Sequence, residues 1–97
     1  MKDYIKSRLS ERDMLVEYIS KAKAVEVMQN QIAELEKNID ALDEDIEELE
    51  DSGLDRTVEI LCKTRNSLNL EKLELEIHIC KLRLWIAEFE LERQLAR

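Results

Sequence analysis

The sequence has no proline, a single glycine, one histidine and only four aromatic residues. Without proline, nothing in the chain removes a helical hydrogen bond or forces a kink. One glycine is too few for a glycine-rich phosphate loop. His78 alone excludes the multi-histidine zinc motifs and any acid–base pair built from two imidazoles. Cys62 and Cys80 lack the CxxC spacing of redox and zinc sites. On one helix they would lie about 27 Å apart, beyond disulfide reach. Free thiols suit a reducing setting, so a cytoplasmic location is expected. Cys80 and His78 are two residues apart, and a helix turns their side chains about 200° from each other, so they do not form a nucleophile–base pair. No apolar run approaches the roughly 18 residues of a membrane span. The opening MKDYIKSRLSERD is charged throughout, and no secretory signal is expected. No enzyme activity, cofactor or metal is expected.

What remains is dominated by Leu, Glu, Ile and Lys, with 39% charged residues. That composition belongs to long helices and coiled coils. Val25, Met28, Ile32, Leu35, Ile39, Leu42, Ile46 and Leu49 follow a strict 3–4 spacing, the signature of a coiled-coil seam. Upstream the pattern loosens. Glu11 and Lys21 fall on seam positions, and Leu15, Ile19 and Ala22 make a stripe displaced around the helix. Ser10 and Asp13 have capping-box spacing, which would break the helix near residues 8–10; an unbroken helix from about residue 3 fits equally well.

The only punctuation is Asp51-Ser52-Gly53-Leu54-Asp55. Gly53 suits the left-handed position past a helix end, with Leu54 as the accompanying hydrophobic contact. Asp55 is a good N-cap for a returning helix. The expected architecture is therefore all-α. Helix 1 spans about 3–51, a turn 52–54, and helix 2 about 55–96. Together they form an antiparallel two-helix coiled-coil hairpin in one domain.

Between residues 68 and 91 apolar and polar residues alternate in places, a strand-like pattern in a stretch too long and too turn-free for a strand. Wound at 100° per residue it becomes two stripes on opposite sides of a helix. Leu75, Ile79, Leu82, Ile86 and Phe89 form one, expected to close the hairpin seam. Leu70, Leu73, Ile77, Cys80, Leu84, Ala87 and Leu91 form the other. One hairpin partner covers only one stripe, so the second is expected to be an oligomer interface, with a dimeric four-helix bundle favoured.

Charge is distributed unevenly. Residues 1–53 hold 7 basic and 15 acidic side chains, and residues 54–97 hold 8 of each. Asp40, Asp43, Glu44, Asp45, Glu47, Glu48, Glu50 and Asp51 crowd the end of helix 1, where the helix dipole disfavours them. Eight charges over about 18 Å approach the linear charge density of duplex DNA. Two uses follow from this density besides keeping the surface solvated. The tip could dock on a basic protein surface, or it could mimic nucleic acid. Asp43, Asp45 and Glu47 share the spacing of a calcium loop, but Glu48 stands where that loop needs glycine. Trp85, on a flank between the stripes, is a core-edge residue or a binding anchor. Tyr4 and Tyr18 are expected to cap the open end, with Tyr18 level with Phe89.

The expected function is non-enzymatic: a self-associating coiled-coil protein that binds a protein partner as an adaptor or structural module. The alternative is a small acidic inhibitor that occupies the nucleic-acid-binding surface of a target. Its analogy, from size and charge alone, is with phage-type counter-defence proteins. Direct nucleic-acid and membrane binding are not expected, since the basic residues are scattered and outnumbered.

Overall fold

The computed structural model describes residues 2–96, with side chains from residue 11 onward. The first helix, α1, runs Lys2–Leu49, and the second, α2, runs Asp55–Leu95. α1 is continuous through residues 8–10, so the capping-box pattern there does not interrupt it. The Ser10 and Tyr4 side chains lie outside the described part. The two helices fold back on each other in a rod of 74 × 21 × 16 Å. This is an all-α antiparallel helical hairpin.

The turn follows its local chemistry. Gly53 takes φ +79°, a conformation that side-chain-bearing residues rarely adopt. The Ser52 hydroxyl and its backbone N–H both donate to the Leu49 carbonyl, at 2.6 and 3.1 Å, satisfying an orphan acceptor at the end of α1. α1 therefore stops two residues before position 51. Two details differ from the expectation. Leu54, not Asp55, occupies the N-cap and makes no side-chain capping bond. Asp55 instead lies in the first turn of α2, where its carboxylate faces the positive end of the helix dipole. Leu54 is also 52% exposed, so it adds little buried contact to the turn.

Cross-helix pairs define the register. Tyr18 meets Glu90, Glu36 meets Lys72 and Asp43 meets Arg65. The numbers 18 and 90, 36 and 72, and 43 and 65 each add to 108, so facing residues lie equally far from Leu54. Tyr18 also stacks on Phe89, with ring centroids 5.0 Å apart. A turn centred on 54 sets this register without slippage.

The seam residues of α1 from Val25 to Leu49 are all buried or half-buried, and Val25, Ile39 and Ile46 are the most enclosed. The same spacing continues upstream through Lys21, Tyr18 and Met14, all half-buried. The displaced stripe does not take over the seam: Leu15 is half-buried, but Ile19 and Ala22 are exposed. On α2, Leu75, Ile79, Leu82, Ile86 and Phe89 face α1 as expected from their spacing. That seam extends further toward the turn through Val58, Leu61, Arg65, Leu68 and Lys72. Three seam positions are thus basic. Lys21 lies 3.3 Å from Glu17, Arg65 lies 3.2 Å from Asp43, and Lys72 lies 3.2 Å from Glu36 and 3.8 Å from Glu76. A cation at such a position keeps its head in water while its stem packs, and it penalises registers that would leave it unpaired.

The core is thin. Among the described residues, only Val25, Ile39, Ile46, Ile79 and Phe89 fall to 9% exposure or less. Total accessible surface is 8052 Å², roughly 40% above that of a compact monomer of this mass. A rod of this shape buries little apolar surface within one chain.

Candidate interaction surfaces

The outer face of α2 carries the second 3–4 stripe. Leu70, Leu73, Ile77, Leu84 and Leu91 expose between 48% and 62% of their surface, and Cys80 and Ala87 are exposed with them. All seven lie away from α1, and nothing in the hairpin covers them. Cys62 is half-buried beside the seam. It lies off the outer stripe, whereas Cys80 belongs to it. Val16, Ile19 and Val27 on α1 are also exposed, but among the described residues they do not form a repeating stripe.

The carboxylate-rich end of α1 is fully solvent-facing. Its six acids, and Glu50 and Asp51 in the turn that follows, are all exposed. Among the described residues, one of them has a partner within ion-pair distance: Asp43, through Arg65. Lys63 pairs instead with Glu59 on its own helix, at 3.3 Å. Asp43, Asp45 and Glu47 splay around α1, and among the described residues no three His, Cys, Asp or Glu side chains converge as metal ligands would.

Near the open end an aromatic cluster closes the hairpin. Trp85 stacks on Phe89 with centroids 5.4 Å apart and planes 6° from parallel. Lys21 Nζ sits 5.0 Å from the Trp85 ring centroid, and Arg93 Cζ lies 5.8 Å from that of Phe89. Both distances suit cation–π attraction. Trp85 is half-buried within this stack, so packing inside the hairpin accounts for a tryptophan at this place. Lys21, a charge at a seam position, covers its ring. The Tyr18 hydroxyl donates to Glu90 Oε1 at 2.8 Å, and that bond, with the charge of Glu90, raises the phenol's pKa above its usual value.

His78 lines an open groove along one flank of the hairpin, beside Asn38, Glu71 and Glu74. The groove is shallow and open to water along its length. The seam cations of α2 were the residues that sequence reasoning missed. Arg65 and Lys72 keep the 3–4 spacing of α2 intact, but their polarity hides them from an apolar pattern. Continuing the spacing from Leu75 toward the turn would have found both.

Among the described residues, no helix is long and apolar enough to cross a membrane. Comparison with protein-family models, with curated proteins and with solved structures yields no match to this chain. The fold defines the class, an antiparallel helical hairpin, and the surfaces carry the functional argument.

Proposed function

We propose that this chain is a non-enzymatic structural or adaptor protein that self-associates through the outer face of α2 and presents the rest of the hairpin to a protein partner. One observation carries the reading: a complete 3–4 stripe of seven apolar or small residues stands uncovered on a helix that is already packed on its other side. Stray surface leucines are ordinary, but a contiguous stripe in coiled-coil register marks a contact surface. The free thiols fit an intracellular setting. Light scattering tests the proposal. The parent protein is expected at twice its chain mass or more, and Leu73→Glu with Leu84→Glu at the mass of one chain. Because both leucines lie outside the hairpin seam, circular dichroism should still report helices. An equal mass for parent and variant would overturn the interface.

A second reading rests on the exposed carboxylates, seven of which have no ion-pair partner among the described residues. Under it the tip of α1 docks on a basic protein surface, as an inhibitor of nucleic-acid binding would. Binding of this kind should weaken steeply with salt and fail when Asp43, Glu44, Glu47 and Glu48 become Asn or Gln. Partner binding that ignores both changes would leave only the apolar surface.

A further inference from the structure

We infer that the occupant of the outer α2 stripe is a second copy of this chain, lying antiparallel with its Leu84 against Leu73 of the first. The inference rests on the self-association reading and adds to it an orientation and a register. Two properties of the stripe select them: the sizes of its residues and the charges that flank it.

Along one edge of the stripe run Asn69, Glu76, Arg83 and Glu90, all exposed. Along the other run Glu74, Lys81 and Glu88, exposed as well. In an antiparallel coiled coil each edge meets its own counterpart. With Leu73 opposite the second copy's Leu84, Glu76 meets Arg83 and Glu74 meets Lys81. Each contact occurs twice by two-fold symmetry, giving four attractions and no repulsion. Sliding one copy by a heptad reverses every sign. With Leu73 opposite Leu91, Glu76 meets Glu90, Glu74 meets Glu88, and Arg83 and Lys81 each meet themselves. Sliding the other way sets Glu76 on Glu76 and Glu74 on Glu74, and shortens the overlap. A slide of two heptads, with Cys80 opposite Leu91, sets Arg83 on Glu90 and Lys81 on Glu88 and is attractive again, but it overlaps only four of the seven stripe residues. Among antiparallel registers that overlap six of them, one alone is complementary.

A parallel, in-register pair is also attractive, through Glu76 with Lys81 and Arg83 with Glu88. Residue size distinguishes it. Parallel pairing stacks Cys80 on Cys80 and Ala87 on Ala87, leaving two thin layers between leucine layers, and voids of that kind are unfavourable. Antiparallel pairing sets Leu70 against Ala87 and Ile77 against Cys80, so each small residue faces a large one. It also places the two carboxylate-rich turns at opposite ends of the assembly. A parallel pair would hold both at one end, where like charges repel.

A charge exchange on the flanks discriminates between the arrangements without touching the stripe. Glu76→Arg combined with Arg83→Glu preserves the antiparallel contacts with their signs exchanged. In a parallel pair the same double change sets the introduced arginine against Lys81 and the introduced glutamate against Glu88, so every flank contact becomes repulsive. Lys72 keeps its 3.2 Å partner Glu36 in either case. Sedimentation equilibrium on the full chain should give the double variant a dissociation constant within about threefold of the parent, and the single Glu76→Arg variant a constant weakened by about tenfold. Weakening of the double variant beyond that of the single one would overturn the antiparallel register while leaving self-association standing. A Glu76→Arg variant as tight as the parent would overturn the assignment of the flanks. A parent that is monomeric at every accessible concentration would remove both the inference and the reading beneath it.

Discussion

Lys72 offers the sharpest test of how the hairpin is held together. It occupies a seam position of α2, its side chain is 29% exposed, and it pairs with Glu36 and Glu76, which are themselves 52% and 46% exposed. Replacing it with leucine should stabilise the hairpin. Fully burying a leucine contributes roughly 1.5–3 kcal/mol, and the lysine stem already covers part of that area, so the gain is about 1–1.5 kcal/mol. Exposed ion pairs of this kind contribute about 0.2–1 kcal/mol. Glu36 and Glu76 remain in water after the change, so no buried charge is stranded, and a lysine's side-chain entropy is no longer lost on folding. The balance is about 0.5–1 kcal/mol in favour of Lys72→Leu, or a rise in Tm of roughly 2–8 °C for a domain of this size. Urea unfolding followed by circular dichroism and by the fluorescence of Trp85 measures it. Parent and variant must be compared at one protein concentration, because self-association would make stability depend on it. A loss of more than about 1 kcal/mol would refute the reasoning. It would mean that the two carboxylates hold Lys72 far more strongly than solvent-facing pairs do.

The Leu73→Glu, Leu84→Glu pair removes four leucine contacts from a two-fold interface at about 1 kcal/mol each for half-exposed side chains. Association should weaken on the order of a thousandfold at roughly 1.4 kcal/mol per decade, and a change under tenfold in sedimentation would reject the stripe as the contact. Tyr18 gives a pH signature. With its pKa raised by Glu90, the neutral phenol is favoured in the folded chain. The stabilisation is complete below pH 10, the phenol's usual pKa, and is lost as pH rises through the folded value. In a Tyr4→Phe background the ultraviolet titration of Tyr18 should move down on Glu90→Gln, and an unmoved curve would mean that the hydrogen bond is absent in solution.

Most of the fold was legible from residue spacing. The 3–4 run from Val25 to Leu49 is long enough to settle helix and seam together, and Gly53 is the one residue suited to a left-handed backbone. Placing the turn there also set the register, since a short connection leaves Tyr18 level with Phe89. Finer features were less visible. Asp55 was the better capping residue by chemistry, yet the chain enters α2 one residue earlier, at Leu54. The seam from Val58 to Lys72 was hidden, because pattern reading weighs polarity whereas a helix obeys geometry.

Periodicity alone decided that α2 has two apolar faces, because a helix of given sequence must place Leu73 and Ile79 on different sides whatever surrounds it. Spacing also led to the expectation that the side of Ile79 would close the seam, and only the tertiary arrangement decided which polar and charged side chains pair across it. On the side of Ile79 and Phe89, Tyr18 and Trp85 each stack on Phe89, and Arg65 and Lys72 find Asp43 and Glu36 across the seam. Local sequence cannot anticipate these cross-seam pairs, since they join residues 22 to 72 positions apart in the chain, whose meeting depends on the turn.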